Sequence, residues 1–158
     1  MKGIVYNGTT TELVDGLTLR APGPREVVVQ VAAAGLCHSD ISYMSGMYPV
    51  PSPGVCGHEA AGVVASGPRA GVRVAIDPSV PCERCATCAR GLGHLCPDVR
   101  FLGYGTSDGA MREVLAWPEA QLVPLPDTID DVEGAMLEPL GVAIHEAITP
   151  EQYIIFIV

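Results

Sequence analysis

Short apolar segments separated by turn residues dominate the chain up to about residue 125. The longest of them, residues 26–34, consists mainly of valine and alanine and follows the turn Pro22-Gly23-Pro24. β-Branched residues bounded by glycine and proline are typical of strands. The pattern therefore predicts a domain built from several short strands. We expect them at residues 3–6, 26–34, 60–66, 71–77, 110–117 and 121–125.

Helical periodicity replaces this pattern near the end of the chain. From residue 130 to residue 148, apolar side chains recur every three or four positions, as on one face of a helix. Asp127 or Thr128 is available to cap its start. Pro139 lies inside the segment, and its ring cannot join the hydrogen-bond ladder of a helix. We therefore expect two helical pieces here.

Three further segments can be interpreted from their residues. Ser39 or Asp40 can cap a short helix that runs to about Ser45. Residues 48–53 contain three prolines and are expected to form a surface loop. Residues 153–158 are all apolar and rich in β-branched types, which predicts a final strand.

The composition indicates one globular, mainly β domain. The 158 residues include 18 glycines and 14 prolines, which favour short strands and turns over long helices. A net charge of -9 with a single lysine, Lys2, argues against nucleic acid or an anionic membrane surface as a partner. No apolar run approaches the ~20 residues of a membrane-spanning helix.

The cysteines and the first residues indicate a cellular compartment. The start of the sequence lacks the long apolar core of an export signal. Without export, six cysteines favour thiolate chemistry in a reducing environment over disulfides. We therefore expect a cytoplasmic protein.

Four of the cysteines form a motif with gaps of two, two and seven residues. They are Cys82, Cys85, Cys88 and Cys96. Two-residue gaps let successive thiolates converge on one ion, so the spacing favours a closed, structural zinc site within residues 81–97. Free cysteines, a redox pair and an iron–sulfur cluster are the alternatives. Arg84, Arg90 and Arg100 are expected to offset the charge of the thiolates.

A second set of possible metal ligands surrounds a histidine–glutamate pair. Gly57 lets the backbone turn tightly before His58, and Gly62 leaves room for another segment to approach. Cys37 upstream and Glu138 near the end add a thiolate and a carboxylate, and these are ligand types that zinc takes. By themselves the residues favour a strand start, a satisfied core histidine and a small buried cysteine over a metal site.

Together the motifs resemble the catalytic domain of a zinc-dependent alcohol dehydrogenase of the medium-chain dehydrogenase/reductase family. The resemblance runs to about residue 148 and is carried by Cys37-His38-Ser39-Asp40, Gly57-His58-Glu59-Ala60-Ala61-Gly62, the four cysteines and Glu138-Pro139-Leu140. It is strongest to the polyol- or sorbitol-dehydrogenase-like branch. The implied fold is a GroES-like, partly open and mostly antiparallel β-barrel over residues 1–149, with a zinc lobe at residues 81–97.

The resemblance also implies roles for individual residues. Cys37 and His58 are expected to bind a catalytic zinc, with Glu138 as the third ligand where other alcohol dehydrogenases carry cysteine. Glu59 is expected to enter the ligand shell when water or substrate leaves. Asp40 corresponds to the carboxylate that orients the histidine ligand.

The resemblance also bears on three positions after Cys37, through the proton relay and the contact with the cofactor. Ser39 stands where the family places the hydroxyl that takes the substrate proton, and His38 where it places a contact to the pyrophosphate of the cofactor. Ser42 replaces a histidine that often ends the proton relay. The implied reaction oxidises an alcohol or polyol to a ketone or aldehyde, with two zinc ions per chain and NAD or NADP as hydride acceptor.

The sequence contains no fingerprint for binding that cofactor. No Gly-x-Gly-x-x-Gly lies between a strand and a helix, so residues 150–158 are expected to be the start of a missing nucleotide-binding domain or a replacement tail. An uncovered apolar strand there could pair with its copy in a homodimer. A zinc-binding scaffold without turnover and a zinc hydrolase are the alternative functions.

Overall fold

The computed structural model describes residues 1–45, 47, 54–104 and 108–148. Its strands are β1 (Gly3–Tyr6), β2 (Thr11–Val14), β3 (Glu26–Ala34), β4 (Gly54–Val55), β5 (Ala60–Val64), β6 (Arg73–Ile76), β7 (Ser79–Val80), β8 (Arg100–Phe101), β9 (Val114–Pro118) and β10 (Leu122–Pro124). Its helices are α1 (His38–Met44), α2 (Ala86–Ala89), α3 (Asp131–Ala135) and α4 (Leu137–Ile148). The predicted loop at residues 48–53 and the predicted strand at residues 153–158 lie outside the described residues.

A five-stranded antiparallel sheet in the order β10-β6-β5-β3-β9 forms the centre of the fold. β3 lies between β5 and β9, where Val29 pairs with Val64 on one side and with Leu115 on the other. Alternation along β3 buries Val27 and Val29 in the main core. The valine-rich stretch is therefore an interior strand of the sheet, paired along both of its edges, and one of its faces packs into the core.

β3 and β5 approach each other closely where Gly62 faces Val31. A Cβ atom at Gly62 would collide with the backbone oxygen of Gln30. The pairing register shifts between Val31 and Ala33, which is a β-bulge near the end of β3. The expectation that Gly62 makes room for another segment is confirmed, and the bulge lies just before the chain turns towards α1.

Two smaller sheets complete the half-barrel. β2, β1 and β4 form one of them, and an isolated bridge between Gly3 and Arg112 joins it to the segment before β9. β7 and β8 form a two-stranded ribbon in which Ser79 faces Phe101, and residues 81–97 loop out between these strands. The predicted mainly β, partly open barrel with a lobe at its side is confirmed.

The helical segment is divided at Met136, three residues before Pro139. Pro139 occupies the first turn of α4, where a missing N–H costs no helical hydrogen bond. The prediction of two helical pieces is confirmed, and the predicted position of the break is wrong.

Asp130 caps α3, so the predicted caps, Asp127 and Thr128, are wrong. The Asp130 carboxylate accepts the backbone N–H of Glu133 at 2.8 Å, and Glu133 accepts that of Asp130 at 2.9 Å. This reciprocal pair is a capping box, and it fixes the start of the helix. α3 then packs against the five-stranded sheet through Ala135 and Ala61.

The predicted strand at residues 110–117 begins only at Val114. Residues 109–111 are not part of it because their N–H groups bond to the backbone of residues 55–57 instead. The strands predicted at residues 60–66 and 71–77 are likewise shorter, ending at Val64 and starting at Arg73. Among the described helices, none has the length and hydropathy needed to cross a membrane.

Candidate metal centres

The four cysteines of the lobe converge on one point. Their sulfurs all lie within 4.8 Å of one another. The Cys85 sulfur is 3.5 Å from that of Cys88 and 3.9 Å from that of Cys96. A disulfide needs about 2.0 Å, whereas a tetrahedral zinc with ~2.3 Å bonds holds its sulfurs about 3.8 Å apart. The geometry therefore fits one zinc ion better than a cluster that distributes its cysteines over several irons.

Backbone amides face the sulfurs. The N–H of Cys88 donates to the Cys85 sulfur and that of Cys82 to the Cys96 sulfur, both at 3.4 Å. The first of these bonds is the main reason that the pKa of Cys85 falls to about 6. Desolvation raises the pKa of Cys88 to about 12. The lobe thus stabilises a thiolate by its own backbone, as a metal site requires.

The lobe has almost no core of its own. Within residues 81–97, all of which are described, only Cys96 is buried. Side-chain packing therefore cannot hold the loop in place, and an ion bound by the four sulfurs would supply the missing stabilisation.

Arg100 connects the lobe to the barrel. Its guanidinium donates to the Glu26 carboxylate at 3.0 Å and lies 4.7 Å from the centre of the Trp117 ring. Glu26 is shared with Arg20, so one carboxylate faces two guanidinium groups, and the role of Arg100 in offsetting the thiolates stays a prediction. Arg84 and Arg90 are exposed, and for them that role stays a prediction.

Three donor side chains from two separate segments meet at a second point. Cys37 comes directly before α1, and His58 and Glu59 lie between β4 and β5. Their donor atoms lie within 4.8 Å of one another. His58 and Glu59 are buried and Cys37 is half-buried, so the group is accessible from one side. A thiolate, an imidazole and a carboxylate at these distances fit a zinc ion.

Asp40 holds the two ligand-bearing segments together. Its side chain is 0% exposed, and its carboxylate accepts the backbone N–H of Cys37 at 3.0 Å and that of Gly57 at 3.1 Å. The nearest His58 nitrogen is 4.0 Å away, beyond hydrogen-bonding distance, so the predicted orientation of that ring by Asp40 stays a prediction. Neither Ser39 nor Asp40 caps α1, because the helix already begins at His38 and Cys37 is its cap.

The turn before His58 is fixed from both sides. Gly57 has a φ of 95°, which confirms the expected glycine turn. Backbone N–H groups of residues 109–111 donate to carbonyls of residues 55–57 at 2.8–2.9 Å. The sequence carries no motif for this second contact, which joins segments more than fifty residues apart.

One aromatic side chain contacts the site at a position that no motif marked. The Phe101 ring lies 5.4 Å from the His58 ring, measured between ring centres. Phe101 therefore gives the polar site an apolar neighbour next to His58.

Glu138, the predicted third ligand, lies beside this group rather than within it. It is the second residue of α4, is half-buried, and is not among the side chains that meet within 4.8 Å. Burial raises the pKa of Glu138; positive charge on His58 opposes that rise, and the carboxylates of Glu59 and Asp77 add to it. It lines a groove of about 540 Å³ between β6 and α4. Its role as a ligand stays a prediction.

The remaining predicted residues lie on α1. His38 is exposed and Ser39 is half-buried. Ser42 is buried, and its hydroxyl donates to the backbone oxygen of His38 at 3.2 Å. The proton and cofactor roles of His38 and Ser39 stay predictions.

Comparison with known proteins adds an independent line of evidence. Residues 23–127 match the alcohol dehydrogenase GroES-like domain. The chain is 38% identical over 146 residues to a protein named "Probable D-xylulose reductase A" from Neosartorya fischeri, covering 84% of the chain and 41% of that protein. It is 35% identical over 157 residues to sorbitol dehydrogenase from Bacillus subtilis, covering 93% and 44%. The chain thus spans about two fifths of these curated relatives.

Solved structures of the same architecture were also found. Galactitol-1-phosphate dehydrogenase from Escherichia coli matches with a TM-score of 0.85 and 26% identity, over 92% of the chain and 44% of that structure. Acetophenone reductase from Geotrichum candidum, in complex with NAD, matches with a TM-score of 0.81 and 28% identity, over 96% and 48%. The chain therefore belongs to the zinc-dependent medium-chain dehydrogenase/reductase family, whose alcohol dehydrogenase GroES-like domain makes up most of it.

Proposed function

We propose that the chain is the catalytic, metal-binding domain of a zinc-dependent, NAD(P)-linked dehydrogenase that oxidises an alcohol or polyol to a ketone or aldehyde. The observation that carries this proposal is the meeting of Cys37, His58 and Glu59, whose donor atoms lie within 4.8 Å of one another. The group is accessible from one side, which leaves a position for a substrate. The four cysteines, in contrast, would surround their ion completely.

Zinc held by Cys37, His58 and a carboxylate would act as a Lewis acid on a substrate hydroxyl and lower its pKa. We assign the carboxylate to Glu138 when substrate is bound and to Glu59 when it is absent. The position of Glu138 supports this assignment, because it is half-buried and close enough to His58 and Glu59 for their charges to act on it.

The other residues of the site position the ligands, transfer the proton and bind the cofactor in this proposal. Asp40 fixes the spacing of the ligand segments through its two backbone hydrogen bonds. Phe101 packs beside the His58 imidazole with the two rings tilted, and it contributes to the burial of His58. Ser39 takes the hydroxyl proton in this proposal and passes it to solvent, since Ser42 is engaged with the helix backbone. His38, exposed at the start of α1, contacts the cofactor pyrophosphate.

We assign the second zinc to Cys82, Cys85, Cys88 and Cys96, with a structural role. The support is the 3.5–4.0 Å spacing of the sulfurs and the absence of a core in the lobe, whose residues are all described. The expected content is two zinc ions per chain.

The substrate class follows from the relatives. They are named as a D-xylulose reductase, a sorbitol dehydrogenase and, at 34% identity over 148 residues, an L-idonate 5-dehydrogenase from Vitis vinifera. All three names refer to open-chain polyhydroxy compounds or their ketones. We therefore propose a polyol as substrate, and a nicotinamide bound by the part of the relatives that this chain does not cover.

A chimera tests the proposal. Residues 1–148 would be joined to the remainder of the Bacillus subtilis sorbitol dehydrogenase, and the reduction of NAD⁺ and NADP⁺ followed with sorbitol, xylitol and ethanol. We expect polyol oxidation that disappears in the matched His58→Asn chimera. A folded, zinc-loaded chimera without polyol oxidation would contradict the proposal.

The 158-residue chain offers a second readout if the chimera does not fold. Cobalt in the site of Cys37 and His58 should change its absorption spectrum when xylitol is added. A spectrum that no polyol alters would also contradict the proposal.

The compartment and the oligomeric state are part of the proposal as well. All six cysteines are free, and both sites need reduced thiols, which supports the cytoplasm. A homodimer through residues 153–158 predicts that the full chain sediments as a dimer and a chain ending at residue 149 as a monomer. Equal sedimentation of both would exclude this contact.

A further inference from the structure

We propose that Gly35 is a positioning residue for Glu59: it leaves empty the space that the Glu59 carboxylate needs to face Cys37 and His58. A Cβ atom built on Gly35 would overlap a carboxylate oxygen of Glu59. It would also lie only 3.2 Å from the Glu59 Cδ and 3.1 Å from its Cβ. The carboxylate therefore lies where the side chain of any other residue would start.

The backbone of Gly35 does not itself require glycine. Gly35 is not among the glycines with positive φ, so alanine could adopt the same conformation without strain. Its N–H donates to the backbone oxygen of Glu59 at 2.7 Å, a bond that alanine would also make. Glycine is therefore needed at position 35 for steric reasons, because the Glu59 side chain occupies the space that a Cβ would take.

The location of this contact gives it a consequence for the metal site. Gly35 is two residues before Cys37, and Glu59 directly follows His58. A side chain at position 35 would drive the Glu59 carboxylate out of the group whose donor atoms lie within 4.8 Å of one another. Glu59 is buried, and a Cβ on Gly35 would crowd its Cβ and Cδ as well as its carboxylate oxygen, so turning the carboxylate alone would not relieve the contact.

A double-mutant cycle of thermal stability tests the steric contact between residue 35 and Glu59. Thermal unfolding would be measured for the unmutated chain, Gly35→Ala, Glu59→Ala and the double variant, after mild chelation of the exchangeable metal. We expect Gly35→Ala to lower the Tm by several degrees when Glu59 is present and by much less when it is alanine. The remaining 3.1 Å contact with the residue-59 Cβ can relax by a small shift. Gly141→Ala is the matched control, because a Cβ there meets nothing within 4 Å.

A cobalt titration tests the metal part, which rests on the proposed zinc site. We expect Gly35→Ala to weaken Co²⁺ binding at the site of Cys37 and His58 about tenfold or more, with the four-cysteine signal unchanged. Gly141→Ala should leave both signals as they are.

Three results would overturn the inference in distinguishable ways. An equal loss of Tm in both backgrounds would show that Glu59 is not the obstacle. An unchanged Co²⁺ affinity in Gly35→Ala would show that the carboxylate does not serve the metal. Absence of Co²⁺ at this site in the unmutated chain would contradict the proposed function itself, and the stability cycle would still report on the steric contact.

Discussion

At the scale of single residues, Asp40 contributes most to the shape of the candidate catalytic site. It is a fully buried carboxylate, and a buried charge is costly unless it is hydrogen-bonded. Two backbone N–H groups supply those bonds, one from each segment that carries a metal ligand. One side chain thus determines the distance between Cys37 and the turn at Gly57.

Asp40→Asn should lower the free energy of unfolding by about 2–3 kcal/mol. The amide can accept only one of the two N–H groups, and it loses the charge that strengthens both bonds. Urea unfolding of this variant checks the value, with the exposed Asp98→Asn as the control. A change below about 0.5 kcal/mol would show that Asp40 does not hold the segments together.

The sequence predicts the four-cysteine site but not the side-chain contacts around His58 and Glu59. The spacing of the four cysteines suffices for their site, because short gaps place the sulfurs together without help from the rest of the fold. The contacts of Gly35 with Glu59 and of Phe101 with His58 could not be predicted, because they join segments that only the folded sheets bring together.

At the scale of elements, the first residue of β3 connects the barrel to the cysteine lobe. Glu26 accepts hydrogen bonds from Arg20 at 2.8 Å and from Arg100 at 3.0 Å, and only 7% of its side chain is exposed. The hydrogen bond from Arg20 is the main cause that lowers the pKa of Glu26 from 4.5 to about 2. Its charged form therefore stabilises the fold.

This pairing predicts a loss of stability in acid. Because the folded pKa is lower than the unfolded one, the contribution is complete above pH 4.5 and is lost as the pH falls towards about 2. Glu26→Gln should cost about 1–2 kcal/mol at pH 7, less than the full pKa shift implies, because solvent screens the half-exposed Arg20 partner. The difference from the unmutated chain should shrink below pH 4.5.

Urea unfolding between pH 7 and pH 3 measures this difference. Glu83→Gln is the control, because Glu83 pairs with Arg25 at 3.4 Å on the surface, and exposed pairs contribute little. A difference for Glu26→Gln that stays constant down to pH 3 would argue against the buried ion pair.

The capping box of α3 gives a second prediction at this scale. Asp130→Ala should lower the free energy of unfolding by about 1 kcal/mol, because the N–H of Glu133 loses its acceptor. Asp127→Ala tests the cap that the sequence suggested and should change little, since Asp127 is exposed and three residues before the cap. Equal effects of the two changes, measured by urea unfolding, would contradict the assigned helix start.

The sequence predicts which segments form strands and helices more reliably than it predicts the residues at which they begin and end. The valines of β3 and the helical spacing after Asp130 are strong local patterns, and both elements exist. Their ends depend on tertiary partners. The stretch before Val114 bonds to residues 55–57, and the helix break occurs at Met136 rather than at Pro139, which is tolerated in a first turn.

At the scale of the whole molecule, the half-barrel carries two candidate metal centres of different kinds. The four-cysteine centre belongs to a lobe without a core, so losing it should unfold the lobe. The other centre lies between the start of α1 and the start of β5, the central strand of a sheet whose core includes Val29 and Val64. Its loss should leave the barrel intact.

Two single substitutions separate these centres. Cys85→Ser should release the structural zinc and leave residues 81–97 open to proteolysis, whereas His58→Asn should lose only the exchangeable zinc and keep the Tm of the barrel. Zinc content and limited proteolysis of the two variants provide the check. If both variants unfold to the same extent, the division into a structural and a catalytic centre is wrong.

The most direct test of this account is the zinc content of the unmutated chain, purified without chelator and measured by elemental analysis before and after mild chelation. We predict two zinc ions per chain at first and one afterwards, because the four thiolates form a closed shell and Cys37, His58 and Glu59 form an open one. A chain that holds one zinc or none before chelation, or that loses both ions together, would contradict the account.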